Sequence, residues 1–450
     1  MTATSDFADW VSKNPKIKGI HAAICDLNGA WRGKFIPGRN VAKALTAGIR
    51  MPLSAPCFDI WGEDQLSSAS LALTGDGDGH CISTGRGPLV IDDLSGSALL
   101  PLWTFRDDGT PLLSDPRQAL ASVVRRFEGR RLRPVVAVEL EFYLVRPRQR
   151  AATPPISQRT GRPLDSDAIL SVDELDLFGP FLNDVYARCA EVDIAADAAI
   201  AENGIGQFEI NLQHCDDPLR AADDAALLKR VIKTAARKHG YVATFMAKPY
   251  GERAGSGMHV HASFADEAGR NVFDDGSARG SDLLGHAVAG MLAGMVESTL
   301  IFAPHLNSYR RLRPDTHAPT RVSWGFENRT TAIRIPGGSS GNRRVEHRVA
   351  GADANPYLVL AAVLGGALAG IEASMVPPSP ITGRVHSIED CPRLAPNWSS
   401  AIDVFEHGPM AADIFDAELR SALVACKRRE AERFERQLSQ FEYDTYLESA

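Results

Sequence analysis

The stretch Gly255-Ser256-Gly257-Met258-His259-Val260-His261-Ala262-Ser263-Phe264 places two histidines and a serine at alternate positions. Read as a strand, it sends successive side chains to opposite faces. Met258, Val260, Ala262 and Phe264 go to apolar packing, while His259, His261 and Ser263 share the other face. Gly255 and Gly257 let a ligand approach the backbone closely or let the chain take positive φ. Any antiparallel sheet with one wet side could supply such a strand, so the chemistry depends on its companions. Residues 135–145 carry Glu139 and Glu141 on one face and Val138, Leu140, Phe142 and Leu144 on the other. Residues 207–213 show Gln207, Glu209, Asn211 and Gln213 on one face, after a glycine-rich turn that holds Glu202. Residues 343–349 align Arg344, Glu346 and Arg348.

Side by side, these strands would gather five carboxylates around the histidines. So much negative charge in one place is expensive unless cations neutralise it. Carboxylate oxygens with imidazole suit Mg²⁺ or Mn²⁺ rather than a thiolate-seeking metal. Arg311, Arg329, Arg334, Arg344 and Arg348 fall in or near the same strands. Arginine beside a divalent-metal carboxylate site is what phosphoryl transfer asks for, because catalysis there is positioning and charge stabilisation. For any one of these residues, a solvated sheet face or a surface ion pair is the simpler explanation. It would have to hold independently on several strands. No Gly-x-x-x-x-Gly-Lys-Ser/Thr loop occurs, so a nucleotide would be held without a P-loop.

The elements that must position these groups follow from the rest of the chain. At 450 residues it exceeds a single ordinary core, so two or more domains are expected. The net charge of −7 gives no footprint for nucleic acid or an anionic membrane. No uncharged run of 18 apolar residues occurs. Residues 1–10 are acidic and lack the apolar core of a signal peptide. Seven scattered cysteines without a C-x-x-C pair point to reduced thiols. A cytoplasmic protein that binds neither nucleic acid nor membrane is the expectation.

Residues 17–36 read as a hairpin turning at Asn28-Gly29. A short helix at 41–47, a loop at 58–62 and short strands to about residue 105 suggest a small α+β domain. Residues 107–111 are the linker candidate, and Asp115-Pro116 opens a helix. Further helices are expected at 181–192, 218–238, 282–302 and 355–374, the last nearly all apolar and so buried. Strands are expected at 241–248 and 328–336, and a polar surface helix at 417–440. The division is 1–112 and 113–450.

On these residues the chain resembles the bacterial class of the glutamine synthetase superfamily along nearly its whole length. The matching pieces are Asp26-Leu27-Asn28-Gly29, Glu139-Leu140-Glu141-Phe142, residues 202–209, 255–261 and Asn307-Ser308-Tyr309-Arg310-Arg311. Further along come Asn328-Arg329, Arg334-Ile335-Pro336, Arg344-Val345-Glu346-His347-Arg348 and Ala354-Asn355-Pro356-Tyr357. The resemblance implies an N-terminal β-grasp domain followed by a catalytic domain with a curved antiparallel sheet flanked by helices. It implies ATP as co-substrate, two or more divalent ions per site, and a homo-oligomer of two hexameric rings with sites between neighbouring subunits. By position, Glu141, Glu202 and Glu209 would bind one metal, and Glu139, His259 and Glu346 the second. His261 and Ser263 would face the nucleotide. Arg311 would hold the α-carboxylate of glutamate near Gly255 and Gly257, with Arg348 by its γ-carboxylate. Arg329, Arg334 and Arg344 would contact phosphate groups, and Asp59 would bind the incoming ammonium.

Two departures bear on the acceptor. Ammonia-using members carry a flap glutamate six positions after the arginine that corresponds to Arg311; here that position is His317. Losing the carboxylate removes attraction for NH₄⁺ on the order of a few kcal/mol at intermediate dielectric. An imidazole can still act as base, or His317 simply fills space on the flap. Ala254 stands where those members carry Asn. The expectation is a γ-glutamyl–amine ligase using a polyamine or small monoamine. A true glutamine synthetase and a non-catalytic structural relative are the alternatives. Trp61 and Trp324 are candidates to widen the amine pocket or to pack.

Overall fold

Alternation of apolar residues builds two sheets, seen in a computed structural model that describes residues 10, 12–64, 75–92, 95–314, 316–385 and 391–450. Nearly all of the N-terminal stretch 1–10, read above as no signal peptide, lies outside the described residues. The first sheet comprises β1 (Gly19–Cys25), β2 (Trp31–Pro37), β3 (Ile49–Pro52), β4 (Asp78–Ser83) and β5 (Ser97–Phe105), in the order β2-β1-β5-β4-β3. β1 and β2 form the expected hairpin, with Gly29 at φ 72° in its turn. β1 runs parallel to β5 at the centre, and helix α1 (Gly38–Ala47) packs Val41 and Ala44 against the sheet. β1 is covered on both sides. Ile20, Ala22 and Ile24 face that small core, whereas Ala23 and Cys25 join the main one.

Residues 107–111 are a tight turn rather than a free linker. The Arg106 N–H donates to Thr110 O at 2.8 Å, Gly109 sits at φ 81°, and Pro111 bridges back to Phe105. The helix that follows, α2 (Pro116–Gly129), starts as its sequence dictates: Asp115 accepts from the Arg117 N–H and proline occupies the first turn.

The second sheet contains β6 (Arg133–Val145), β7 (Ala196–Ala201), β8 (Gln207–Leu212), β9 (Val242–Thr244), β10 (Met258–Ala265), β11 (Trp324–Phe326), β12 (Ile333–Ile335) and β13 (Val345–His347). Its order is β11-β12-β13-β10-β6-β8-β7, with β9 paired to β6, and all pairs are antiparallel except β11–β12. One face is dry. Val136, Val138, Leu140, Phe142 and Leu144 of β6 and Met258, Val260, Ala262 and Phe264 of β10 enter the main core. Each of these side chains larger than Ala262 contributes about 1.5–3 kcal/mol of burial free energy. Helices α3 (Gly179–Glu191), α4 (Pro218–Lys238), α5 (Asp282–Ala293) and α6 (Pro356–Glu372) cover the core. α6 is buried as its apolar composition requires. The other face of the sheet is left for polar groups.

Four expectations are corrected. The strand at 241–248 shortens to β9, and that at 328–336 to β12, because Asn328 ties its own turn through Thr330. The helix at 282–302 stops at Gly294 and resumes over Thr299–Phe302. Before it stops, Gly290 meets Gly366 and Gly370 of α6 so closely that a Cβ would overlap the Gly366 carbonyl. The C-terminal helix, α7 (Ala417–Glu435), ends before residue 440 and lies on the surface by one face only, with Ser421, Arg428 and residues 432–435 exposed. It buries Leu419, Leu423, Val424, Cys426, Lys427 and Glu430, because its charged groups find partners in the N-terminal hairpin. The seven cysteines are unpaired. Among the described residues, no helix is long and apolar enough to cross a membrane.

Candidate active site

Register places the expected side chains in rows across the polar face. Asn211 of β8, Glu139 of β6 and His259 of β10 form one row; Glu209 and Glu141 stand opposite each other in the next. His261 pairs with Glu346 of β13, which pairs with Arg334 of β12. A period of two on four strands therefore brings Glu139, Glu141, Glu209, His259, His261 and Glu346 onto one patch.

Glu139 is its hub. His259 Nδ1 lies 3.0 Å from Glu139 Oε2, and His261 Nε2 lies 2.8 Å from Oε1. The other nitrogen of His261 lies 3.1 Å from Arg344 Nε. Glu346, 1% exposed, accepts from Arg334 Nη1 at 2.7 Å and from Arg348, with His259 Nδ1 4.0 Å away. Glu141 Oε2 accepts from the Gly257 N–H at 2.8 Å and from Gln207 Nε2 at 3.1 Å. Ser263 continues the histidine face opposite Val135. Beside it a cavity of about 380 Å³ is lined by Val135, Ala137, Leu212, His214, Cys215 and Arg220.

Burial and crowding shift these carboxyls in opposite directions, according to whether a cationic partner stands near. Burial, then the neighbouring Glu139, Glu141 and Glu202, pushes the Glu209 carboxyl up to about 9. Burial and Glu141 raise Glu202 to about 7. Glu139 goes the other way, since hydrogen bonds from His259 and His261 outweigh its burial. For Glu346 burial is likewise outweighed, chiefly by the charge of Arg348. Gln207 Oε1 and Asn211 Oδ1 are buried on the same face without a hydrogen-bond partner.

Carboxyls crowded until they retain protons, beside orphaned amide oxygens, fit a divalent cation. Two donor sets have their atoms within 4.8 Å of one another: Glu139, Glu209 and His259, and Glu139, His261 and Glu346. This grouping differs from the two triads that resemblance implies. Glu139 belongs to both sets, His261 enters one, and Glu141 spends one oxygen on backbone and amide donors. The donors are oxygen and imidazole, which suits a hard cation.

Arg311 is 5% exposed and donates through Nη1 to Val349 O at 2.6 Å. A Cβ on Gly257 would stand 2.9 Å from Arg311 Nη2 and 3.1 Å from His259 Nε2, so glycine keeps open the space between them. On Gly255 a Cβ would meet Ala247 O at 2.6 Å. His317 is exposed on its segment, with Nδ1 3.3 Å from Asn203 Nδ2, next to Glu202. Arg329 is exposed, and its charge is felt at Glu202.

Asp59 stands apart from the cluster within this chain. It has no exposure, and its Oδ1 accepts the N–H groups of Trp61 and Glu63 at 3.0 and 2.8 Å. Its Oδ2 lies 3.6 Å from Arg429 Nε on α7. Trp61 has Arg433 over its ring at 4.1 Å and Phe434 at 5.7 Å. Trp324 is 7% exposed and donates to Pro378 O at 2.7 Å. Trp324 packs, whereas Trp61 stacks on Arg433 and Phe434 and stays 40% exposed.

The sequence reading assigned no task to three residues that shape this region. Asn355 caps α6 and donates to Asp26 O at 2.8 Å, tying the N-terminal hairpin turn to the start of that helix. The ring of His214 lies 6.1 Å from that of His261, a neighbour that a strand reading ending at 213 leaves out. Glu430 of α7 reaches Asn28, and only the fold reveals that contact.

The chain is similar to known proteins along nearly its whole length. Residues 113–446 match the family described as glutamine synthetase, catalytic domain. The chain is 38% identical over 458 residues to the gamma-glutamylputrescine synthetase PuuA of Escherichia coli strain K12, covering 99% of this chain and 95% of that protein. It is 34% identical over 426 residues to the glutamate–isopropylamine ligase of a Pseudomonas species, covering 91% and 90%. The solved structure of a GmaS/ADP complex superposes with a TM-score of 0.84 at 28% identity, covering 98% of this chain and 99% of that one.

Proposed function

The chain belongs to the glutamine synthetase family, and from that membership we propose an ATP-dependent glutamate–amine ligase whose acceptor is an organic amine, a polyamine or a small monoamine. The observation that carries this reading is the Glu139-centred patch of carboxylates and histidines bordered by Arg334, Arg344 and Arg348. Such a patch suits the transfer of phosphate to a carboxylate. Two features support the organic acceptor. His317 occupies the flap position where ammonia users carry a carboxylate, and the two relatives above are named for putrescine and isopropylamine. An ammonia-using glutamine synthetase has less support, and a non-catalytic relative would have no use for the patch.

Glu139, Glu141, Glu202, Glu209, His259 and Glu346 would hold two Mg²⁺ or Mn²⁺ ions, which when bound neutralise phosphate charge. Arg311 binds the α-carboxylate of glutamate, with the space kept open by Gly257, beside the close-packed Gly255, giving room for the substrate's main-chain end. Arg348 orients the γ-carboxylate. One of its oxygens attacks the γ-phosphorus of ATP; the new O–P bond forms as ADP leaves. Arg329, Arg334 and Arg344 disperse the charge on the phosphoryl oxygens, and such pre-aimed donors are the principal catalytic aid in this chemistry. His261 and Ser263 face the nucleotide, with the adjoining cavity giving room for its base. The amine then attacks the acyl phosphate, the carbonyl carbon gains the C–N bond, and inorganic phosphate leaves. His317 takes the proton that the ammonium form must lose before attack. Asp59, presented by a neighbouring copy, draws in the cation.

The same reading takes the enzyme to be cytoplasmic, a dodecamer of two hexameric rings, with residues 1–112 as a β-grasp domain and 113–450 as the catalytic domain. Phosphate release at saturating ATP and glutamate, measured with putrescine, spermidine, isopropylamine and ammonia, tests the function. An organic amine should be preferred. Turnover with ammonia equal to or above every organic amine overturns the acceptor assignment.

A further inference from the structure

Glu430 on α7 has no exposure, nor has Lys427 beside it. Glu430 Oε1 accepts the Ile60 N–H at 2.8 Å and Asn28 Nδ2 at 3.1 Å. Its Oε2 accepts Lys427 Nζ at 2.9 Å and lies 3.8 Å from His305 Nδ1. Asn28 in turn donates to Phe58 O at 3.1 Å and accepts from Lys427. The residues on either side of Asp59 are thus fastened to one carboxylate–amide unit formed between the two ends of the chain. On its other side the unit meets His305, at the head of the segment that carries Asn307 and Arg311. Asn307 holds the backbone of Lys248 by bonds of 2.9 and 3.0 Å, and Ser308 donates to Asp353 at 2.6 Å.

A fully buried ion pair is a poor way to hold a fold together, because an apolar pair of similar volume often does so as well or better. What the apolar pair lacks is an acceptor for the Ile60 N–H and the Asn28 amide. We propose that Glu430 is a positioning residue that fixes loop 58–62 against segment 305–311 of its own chain, and so holds in place the Asp59 that this copy presents to a neighbouring copy's site. This rests on the reading of Asp59 as the acid that draws in the amine. Glu430 touches no substrate; it acts through the loop.

The test uses the full-length enzyme and two double variants. Glu430→Leu with Lys427→Met replaces the pair by apolar groups. Glu430→Gln with Lys427→Met removes both charges but keeps the acceptor oxygen. The Leu/Met variant should raise KM for the amine about tenfold, while the Gln/Met variant stays within about twofold of wild type. KM for ATP should remain within about twofold in both, whereas a merely structural role would move both KM values together with Tm. Equal amine KM in the two variants overturns the proposal. Should the Leu/Met protein not be recovered folded, Asn28→Ala leaves the ion pair in place and carries the same expectation of a raised amine KM; an unchanged one overturns the proposal. Asp59→Asn in the same series separates the two levels. If it leaves the amine KM untouched, the reading of Asp59 falls; if it raises that KM and the Glu430 variants do not, the positioning role alone falls.

Discussion

Binding a divalent cation to this protein should release a proton at neutral pH, and Glu209 is its source. Burial and the carboxylates of Glu139, Glu141 and Glu202 push Glu209 from an ordinary 4.5 to about 9, so at pH 7 it is protonated. A cation ligand must be ionised. Removing the proton two units below its pKa costs about 2.7 kcal/mol, at about 1.36 kcal/mol per unit. Affinity at pH 7 should therefore be roughly 100-fold below that of the fully ionised site and about 50-fold below that at pH 9, where half the proton remains, with log K rising at a slope near one up to about pH 8. Glu202, raised to about 7, adds a second, fractional proton around neutrality. The sign for stability follows from the same shifts. A carboxyl whose folded pKa is raised stabilises the metal-free fold fully below its unfolded value, and that stabilisation is lost as pH rises through the folded one. The metal-free protein should thus lose Tm between pH 5 and pH 9, and Mn²⁺ or Mg²⁺ should restore more of it at pH 9 than at pH 6. Titration of Mn²⁺ by calorimetry at pH 7, in two buffers of different ionisation enthalpy, counts the protons directly. About one and a half should leave per site, one from Glu209 and about half from Glu202, and Glu209→Gln should abolish the larger part of the release. No proton release, with affinity flat from pH 6 to pH 9, would refute the electrostatic reasoning.

Other expectations can be checked with single variants. Glu346→Ala strips the carboxylate from between Arg334 and Arg348; it should lower stability by about 3–5 kcal/mol by chemical denaturation and abolish nearly all phosphate release. Unchanged turnover there would remove the site assignment. Gly257→Ala sets a methyl 2.9 Å from Arg311 Nη2, so KM for glutamate should rise about tenfold, with KM for ATP within about twofold; an unchanged glutamate KM contradicts the placement. His317→Glu should raise ammonia use relative to organic amines, as read from the ratio of the two kcat/KM values. No change in that ratio would count against a selective role for the flap.

The strands of the site were legible because a period of two leaves one reading of each face. Glu139 with Glu141, His259 with His261, and Arg334 opposite Glu346 lie where alternation puts them. Legibility failed where contacts cross long stretches of chain. Nothing in the spacing of Glu139 says that both histidines choose it over Glu141, because that depends on which carboxylate the Gly257 N–H occupies. The polarity of α7 suggested exposure, since a helix pattern records polarity and not the partners awaiting it; Lys427 and Glu430 are buried against Asn28 and Ile60. The break at Gly294 was hidden by an apolar run that looks helical throughout, and the close glycine contact between α5 and α6 lies one turn earlier, at Gly290. Asp59 was legible as an acid in a loop, but not as one that spends an oxygen on its own turn.

The central claim is that this site joins glutamate to an organic amine at the expense of ATP. Comparing phosphate release with putrescine, spermidine, isopropylamine and ammonia, with the γ-glutamyl product identified by mass, tests it most directly. The predicted result is glutamate- and ATP-dependent formation of a γ-glutamyl amide, with kcat/KM for one organic amine well above that for ammonia. Glutamine as the preferred product, or phosphate release that ignores the amine supplied, would contradict it.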